Sequence, residues 1–291
     1  MLNTLISAVP TPFKKDFSLD LSKIKTLYEY LLEKRIDGVL VNGTAGEGLS
    51  LSIEERMHTT EEWLKVIGEH KKFFVATNVS CESVEDAKNL ARHAMANKVD
   101  AVFFHSPSFF KPISIDLLLE CCSLVAAECY PVPFYFYHLP DFTGIKYRIT
   151  DFVPKAKKQI PNFKGLKFTD LNLMDVLLCQ NTFPDVDIFL GREEVFLPAW
   201  NIGVKMGIGA TYCLWPEKYR KIIELIRDNQ LTEAKKIYID VCRSLDVVIR
   251  YGGIRAIKAI LKIRGIDCGQ ARLPLKPFSE EEFKSLQKDL V

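Results

Sequence analysis

The chain alternates between short apolar runs and longer segments in which apolar positions recur at helical spacing. The short runs are rich in β-branched and aromatic residues, which favours β-strands. They lie at 5–9, 38–42, 72–78, 101–105, 132–137, 163–168, 186–190 and 205–210. The longer segments predict helices near 20–34, 53–69, 83–97, 114–129, 149–159, 170–181, 192–202 and 216–228.

Eight strand–helix units of this kind predict a parallel (β/α)8 TIM barrel, an α/β fold. The alternative is a doubly wound open sheet, which would usually carry a glycine-rich dinucleotide turn after its first strand, and this sequence has none there. Segments 231–250, 252–265 and 279–290 predict about three additional C-terminal helices. We therefore expect a barrel over 1–228 and a helical extension over 229–291, packed on the barrel as a single structural unit. Asp20, Ser52 and Ser83 are the predicted N-caps of the first three helices.

The composition and charge of the chain argue against several classes of binding partner. The 291 residues carry a net charge of +2 with no basic cluster, which argues against nucleic acid and a polybasic membrane arm. The opening residues lack the basic n-region of a secretory signal, and no apolar stretch approaches the length of a membrane span. The eight cysteines are then expected to be reduced thiols of a cytoplasmic protein. Neither the cysteines nor the five histidines show metal-ligand spacing, so no metal site is expected.

In such barrels the chemistry lies on the loops that follow the C-terminal ends of the strands. Lys167 ends the sixth predicted strand, and Thr169 with Asp170 is expected to cap the following helix. A lysine at the end of a buried strand can lose its proton through desolvation and attack a carbonyl carbon. The alternative holds for most lysines, whose stems lie along apolar surface while the head reaches water.

Three other predicted strand ends carry candidate binding groups. Segment 43–50 contains three glycines, and its backbone N–H groups with the Thr44 hydroxyl can hold a carboxylate, although a tight turn without a ligand is the alternative. It is not a Walker loop, because no Lys-Ser/Thr follows the last glycine. Segment 191–194 can bind hydroxyl groups, or it is a helix N-terminus with favourable acidic residues. Small residues in 207–212 leave room at the barrel mouth.

Tyr137 lies at the end of the fifth predicted strand. By alternation, Tyr135 shares its face but lies deeper, so only Tyr137 can relay protons or hold an oxyanion; core packing is the alternative. Lys167, Tyr137, the glycine loop and the polar loop are expected to converge at one end of the barrel. That combination indicates Schiff-base chemistry on a small keto acid.

Three motifs resemble those of the N-acetylneuraminate lyases, in the dihydrodipicolinate synthase/N-acetylneuraminate lyase superfamily of class I aldolases. They are Gly-Thr-Ala-Gly-Glu at 43–47, Tyr-His-Leu-Pro at 137–140 and Gly-Leu-Lys-Phe-Thr at 165–169. The resemblance covers nearly the whole chain, from segment 5–13 to Arg-Leu-Pro-Leu at 272–275. Val-Asn-Gly-Thr at 41–44 and Gly-Leu-Lys-Phe at 165–168 are most similar to the animal-type lyases.

The resemblance implies that Lys167 forms a Schiff base with the C2 ketone of open-chain sialic acid and that Tyr137 assists proton transfer. It implies cleavage to pyruvate and N-acetylmannosamine without any cofactor, usually by a homotetramer. Thr44 and the backbone N–H groups of residues 44 and 45 would hold the carboxylate. The substrate-binding residues it implies are Thr44, Ala45, Thr169, Gly191, Glu193, Glu194 and Ala210.

Three of these positions depart from the family pattern. Ala45 stands where a hydroxyl residue is common, Glu193 where aspartate is usual, and Ala210 where serine often precedes threonine. Loss of one hydrogen bond to a charged group costs about 1.5–3 kcal/mol. The departures therefore leave open an aldolase for another 2-keto-3-deoxy sugar acid, or a keto-acid-binding protein with little turnover.

The synthase branch of the superfamily fits less well. Its enzymes generally hold the second substrate's carboxylate with an arginine shortly after the tyrosine motif, where this chain has Leu-Pro-Asp-Phe-Thr at 139–143. They also use a tyrosine of a neighbouring subunit in the loop after the fourth strand. Here that loop, 106–111, contains no tyrosine.

Overall fold

Eight short strands pair in parallel and in chain order, and the order closes into a barrel in the computed structural model. The structure describes residues 4–68 and 72–290. The strands are β1 (Thr4–Ala8), β2 (Gly38–Val41), β3 (Phe74–Asn78), β4 (Ala101–Phe104), β5 (Phe134–His138), β6 (Phe163–Phe168), β7 (Asp187–Leu190) and β8 (Met206–Gly209). The expected (β/α)8 barrel is therefore confirmed, and each predicted strand lies within about two residues of an observed one.

Helices follow the strands in alternation and then continue beyond the barrel. They are α1 (Lys23–Glu33), α2 (Ile53–Ile67), α3 (Val84–Ala96), α4 (Ile115–Glu128), α5 (Pro140–Thr143), α6 (Ile149–Gln159), α7 (Leu173–Thr182), α8 (Phe196–Asn201), α9 (Pro216–Arg227), α10 (Leu231–Arg250), α11 (Ile254–Ile263) and α12 (Glu280–Asp289). The last three are the additional C-terminal helices that the sequence predicted. The predicted end of the second helix, residue 69, lies outside the described residues, as does His70.

Some helix starts were predicted correctly and others were wrong. The Ser52 and Ser83 hydroxyls accept from the N–H groups of the third residues of α2 and α3, as expected of N-caps. Asp20 does not cap α1, because that helix begins three residues later and the Asp20 carboxylate accepts from the Ser22 hydroxyl at 2.5 Å. Thr169 and Asp170 do not cap α7 either; the Asn172 side chain does.

Two aspartates, each directly before a strand, accept a hydrogen bond from a backbone N–H of the neighbouring strand. Asp37 directly precedes β2, and its carboxylate accepts from the Leu5 N–H of β1 at 2.7 Å. Asp100 precedes β4 and accepts from the Val75 N–H of β3, also at 2.7 Å. Each carboxylate satisfies a backbone donor at a strand start, where the ladder offers no acceptor.

The chain forms two compact units. One contains residues 74–208 with Thr4, and therefore β3 to β7, most of β8 and helices α3 to α8. The other contains residues 5–73 and 209–291, with most of β1, all of β2 and helices α1, α2 and α9 to α12. The expected division at residue 228 stays a prediction. Within residues 4–68 and 72–290, no helix has both the length and the apolar character needed to cross a membrane.

Candidate active site

Lys167 lies at the end of β6, in the unit of residues 74–208, and only 4% of it is exposed. β6 pairs with β5 so that Lys167 is the register partner of Tyr137. Paired residues of parallel strands point to the same face, and the Lys167 Nζ lies 4.3 Å from the centroid of the Tyr137 ring. A cation in this position is attracted by the negative face of the ring. The lysine head is therefore held inside the protein, and it does not lie at the surface.

Aromatic rings pack on the same face of the sheet as Lys167. The Phe103 and Tyr135 rings stack at 4.9 Å, and Phe189, the β7 partner of Lys167, meets Tyr135 edge-on at 5.4 Å. The Tyr135 hydroxyl donates to Asp187 at 2.9 Å. Burial, and then the Asp187 charge, raises the pKa of Tyr135. Tyr135 is therefore a packing residue, and Tyr137 is the tyrosine that reaches the lysine.

Gly191 follows β7 and lies against the lysine stem. A β-carbon placed there would come within 2.5 Å of the Lys167 Cε and 2.7 Å of the Thr169 Cγ2. These distances are far below van der Waals contact, so only glycine allows the stem to lie across this position. The Gly191 N–H donates to the Phe168 carbonyl at 2.7 Å, which holds the backbone beside β6. The missing β-carbon of Gly191 thus leaves the space that the Lys167 stem occupies.

The Gly191→Ala variant is expected to displace the Lys167 amine. Because overpacking a close contact costs about 1–3 kcal/mol, the chain should still fold, while kcat falls about 10²-fold, as for an ångström-scale misplacement. Steady-state assays and thermal unfolding measure the two effects. Gly203→Ala is the control, because an added β-carbon there has no heavy atom within 4 Å, although its φ of +105° adds backbone strain. An unchanged kcat in Gly191→Ala would contradict the conclusion that Gly191 leaves the space needed by the Lys167 stem.

Arg192 links the loops that follow β5, β6 and β7. Its Nη1 donates to the Asp141 carboxylate at 2.5 Å and to the Thr169 carbonyl at 3.3 Å. The Arg192 Nε lies 3.6 Å from Glu194 Oε1. The Thr169 hydroxyl donates to the His138 carbonyl at 2.8 Å, so its oxygen remains able to accept. No local sequence pattern indicates this link, because Asp141 belongs to the short helix α5 and lies 51 positions before Arg192.

The two acidic residues after β7 differ in exposure. Glu193 begins a short 3₁₀ turn, Glu193–Val195, and is only 8% exposed. The Glu194 side chain is 42% exposed. A carboxylate that is nearly buried requires polar partners, so Glu193 is the better placed of the two to define a specific contact. Glu193, where the family pattern has aspartate, is therefore the more enclosed of the two.

The glycine loop after β2 belongs to the other compact unit. Its backbone folds tightly: the Glu47 N–H donates to the Thr44 carbonyl at 3.1 Å, and the Gly48 N–H donates to the Gly43 carbonyl at 3.1 Å. A β-carbon on Gly48 would lie 1.9 Å from the Asn42 carbonyl oxygen, so this position requires glycine. Thr44 is partly exposed, whereas Ala45 is 4% exposed. The loop therefore offers one hydroxyl and a constrained backbone, as the proposed carboxylate site needs.

Ala210 directly follows β8 and belongs to the same unit as the glycine loop. It is partly exposed, and its carbonyl accepts from the Cys213 thiol at 3.3 Å. The neighbouring Thr211 is 4% exposed, and its hydroxyl shares a hydrogen bond of 2.8 Å with the Tyr219 hydroxyl. Thr211 is thus engaged inside the protein, and the methyl group of Ala210 makes this strand end less polar than the family pattern.

His105 is a neighbour of Tyr137 that the sequence analysis did not select. Its ring meets the Tyr137 ring at 5.8 Å and 72°. Its Nδ1 donates to the Ser106 carbonyl at 2.8 Å, since a carbonyl can only accept, and its backbone N–H donates to the Ser80 hydroxyl at 2.7 Å. The His105 ring is therefore fixed in orientation and packs in an edge-to-face arrangement with the Tyr137 ring. In the sequence, the position of His105 directly after β4 was the only indication that it could lie near the site.

The structure brings four predicted site residues into one cluster, namely Lys167, Tyr137, Thr169 and Gly191. Glu193 and Glu194 lie on the turn that directly follows. Thr44, Ala45 and Ala210 lie in the other unit. Over residues 4–68 and 72–290, no three His, Cys, Asp or Glu side chains are grouped to hold a metal ion. The chemistry of the cluster is that of an amine beside a phenol, which suits addition to a carbonyl.

The chain is similar to known proteins over its whole length. The model of the dihydrodipicolinate synthetase family matches residues 1–291. The chain is 38% identical to N-acetylneuraminate lyase A of Xenopus laevis, over 100% of this chain and 98% of that protein. The Proteus mirabilis N-acetylneuraminate lyase structure superposes with a TM-score of 0.95 at 30% identity, covering 99% of this chain and 97% of that one. The expected family is confirmed: the chain belongs to the dihydrodipicolinate synthetase family.

Proposed function

We propose that the protein is a class I aldolase that cleaves N-acetylneuraminate reversibly to pyruvate and N-acetylmannosamine. The observation that carries the proposal is the buried Lys167 amine over the Tyr137 ring at the end of β6. The lyases of Xenopus laevis and Proteus mirabilis, which this chain resembles over almost its full length, support the choice of substrate.

The proposed reaction proceeds through a covalent imine. The Lys167 amine adds to the C2 ketone of the open-chain sugar acid, and water leaves to give a protonated imine. Tyr137, with the substrate carboxylate, removes the proton of the C4 hydroxyl. The C3–C4 bond breaks, and its electron pair enters the imine to form an enamine and N-acetylmannosamine. Protonation at C3 and hydrolysis then release pyruvate, and the imine serves as electron sink without a cofactor.

The remaining site residues are proposed as substrate contacts. Thr44, with the N–H groups of residues 44 and 45, would hold the carboxylate. Thr169, Gly191, Glu193 and Glu194 would contact the hydroxyl groups of the sugar, as the motifs of the lyases suggest. The Thr169 hydroxyl is oriented for this role, since its proton is engaged by the His138 carbonyl and its oxygen can accept from a sugar hydroxyl.

A second candidate function is an aldolase for another 2-keto-3-deoxy sugar acid. The nearly buried Glu193, one methylene longer than the usual aspartate, favours it, because it changes a contact on the sugar side. Ala45 and Ala210 remove hydroxyl groups without adding any polar partner. The imine chemistry of Lys167 is the same in both candidates.

A substrate panel tests the proposed function. N-acetylneuraminate is expected to be cleaved with a kcat/KM at least about tenfold above that of 2-keto-3-deoxy sugar acids lacking the N-acetyl group, because that is the effect of one well-placed contact. Borohydride added during turnover should leave a pyruvyl adduct on Lys167. Faster cleavage of a sugar acid without the N-acetyl group would favour the second candidate. Saturable binding without product would identify a binding protein.

We also propose an oligomeric state and a cellular location for the protein. The usual assembly of the lyases is a homotetramer, so light scattering of the purified protein should give about four times the 33.2 kDa mass of the chain. We also propose a cytoplasmic location, with small-molecule substrates and no nucleic-acid or membrane partner. The eight cysteines carry free thiols, as a reducing compartment would maintain them.

A further inference from the structure

A buried ion pair lies directly behind the glycine loop. The Lys258 Nζ of α11 lies 2.5 Å from Glu47 Oε1, and each side chain is only 1% exposed. Glu47 is two residues beyond Ala45, whereas Lys258 comes from the C-terminal helices. In the sequence, Glu47 is recognisable only as part of a motif, and no pattern singles out Lys258.

Both charged groups are enclosed by further specific contacts. The other carboxylate oxygen of Glu47 accepts from the Arg272 N–H at 2.7 Å, and Lys258 donates to the Gln270 carbonyl at 3.1 Å. The Phe13 ring lies 4.1 Å from the Lys258 Nζ and 4.4 Å from the Arg272 guanidinium. The pair is therefore held in one geometry by groups from the N-terminal and C-terminal segments of the same unit.

The backbone of Glu47 takes part in the turn that presents Thr44. Glu47 has a φ of +55°, a left-handed conformation that residues with a side chain rarely adopt. Its N–H closes the turn on the Thr44 carbonyl, and Gly48 fits only because it lacks a β-carbon. A strained conformation of this kind persists only where surrounding contacts over-determine it. The ion pair with Lys258, together with the hydrogen bond from the Arg272 N–H, holds the Glu47 side chain.

Stability alone does not account for such a pair. Removing two charges from water costs about as much as their attraction returns, so apolar residues of similar volume often serve equally well. The best-attested use of a buried charged pair is to specify a single arrangement of the groups it joins. Burial lowers the pKa of Lys258, and the Glu47 carboxylate opposes that effect and favours the ammonium form.

We propose that Lys258 is a positioning residue: it holds Glu47, and Glu47 holds the Thr44–Ala45 turn in the conformation that binds the carboxylate of the substrate. The C-terminal helix α11 would thereby control affinity for the keto acid without touching it. This inference rests on the proposed function of Thr44 and Ala45 as the carboxylate site. Lys258 and Glu47 would then be the residues that preorganise the carboxylate site.

The test separates positioning from stability by comparing one single and one double variant. Lys258→Met leaves the Glu47 carboxylate buried without its partner, whereas Glu47→Leu with Lys258→Met replaces the pair by apolar side chains of similar volume. Lys262→Met is the matched control, because Lys262 lies one turn later on α11 and pairs with Asp267 at the surface. The readouts are the midpoint of thermal unfolding and the pyruvate concentration that half-saturates borohydride labelling of Lys167.

Lys258→Met is expected to unfold at lower temperature and to raise the half-saturating pyruvate concentration at least about tenfold, the effect of weakening one charge-assisted contact. The double variant should recover part of the lost unfolding midpoint, because it removes the unpaired buried charge but also the acceptor of the Arg272 N–H. It should keep the raised half-saturation, with labelling at saturating pyruvate within about threefold of wild type, since Lys167 is unchanged. Lys262→Met should match wild type in both readouts. If Lys258→Met does not fold, the double variant decides alone.

Two outcomes would overturn the inference in different ways. If the wild-type protein is labelled normally and the double variant has the wild-type half-saturation, the pair serves stability only, and the positioning role alone is overturned. Absence of any labelling of Lys167 in the wild-type protein would overturn the proposed function, and this inference with it.

Discussion

Lys167→Met is expected to abolish turnover, with kcat/KM lowered at least about 10³-fold, a loss of about 4 kcal/mol of transition-state stabilisation. Methionine keeps the length and apolar stem of lysine but has no amine to form the imine. Because the lysine head is buried, its replacement should leave the free energy of unfolding within about 1.5 kcal/mol of wild type or raise it. Assays of sialic acid cleavage, borohydride trapping and chemical denaturation measure the three expectations.

Lys164→Met is the matched control for this variant. Lys164 lies on the same strand but is exposed, and it points to the opposite face from Gly165 and Lys167 by register. We expect normal turnover and normal labelling of Lys167 in this control. A pyruvyl adduct on another lysine, or turnover by Lys167→Met above one-thousandth of wild type, would contradict the assignment of the nucleophile.

Tyr137→Phe is expected to lower kcat by about 10²–10³-fold, the usual contribution of a general acid–base group. The phenyl ring still packs against Lys167 and His105, so the midpoint of thermal unfolding should change little. Borohydride labelling with pyruvate should persist, because the imine can still form at Lys167. Single-turnover kinetics would separate imine formation from carbon–carbon cleavage.

Tyr135→Phe is expected to show the opposite pattern, although the two tyrosines lie two residues apart on one face. It removes the hydroxyl that donates to Asp187 at 2.9 Å. Loss of that hydrogen bond should cost about 1–2 kcal/mol of stability, or a few degrees in the unfolding midpoint, with kcat unchanged within about twofold. A large fall in kcat for Tyr135→Phe, with none for Tyr137→Phe, would reverse the roles assigned here.

Most elements of the fold could be predicted because their signals are local. Strand β6 and helices α6 and α10 were predicted with their observed bounds, since apolar spacing over such segments distinguishes strand from helix. Helix α5 was missed because its four residues are too few to show a period. The cap of α7 was misplaced because Thr169 and Asp170 are both good capping residues, and the hydroxyl of Thr169 is instead used by the His138 carbonyl.

The sequence predicts the residues of the candidate site, but it does not predict the contacts that surround them. Lys167 and Tyr137 are recognisable because each ends a strand and carries the required functional group. Nothing near Gly191 in the chain indicates that its missing β-carbon makes room for a lysine stem 24 positions earlier, a contact that only the β6–β7 pairing creates. The ion pair between Glu47 and Lys258 joins positions separated by more than two hundred residues, so no local pattern reports it.

The sequence by itself therefore determined the barrel class, the order of the strands and of most helices, and the family, and it predicts Lys167 as the nucleophile. The fold follows from apolar periodicity, the nucleophile from residue types at strand ends, and the family from the resemblance of short motifs, all of which are properties of neighbouring positions. The tertiary structure alone decided that the Lys167 amine lies on the Tyr137 ring, that Tyr135 binds Asp187, and that Lys258 neutralises Glu47 behind the glycine loop. Those facts depend on strand register and on burial, which arise only when distant segments pack and exclude water.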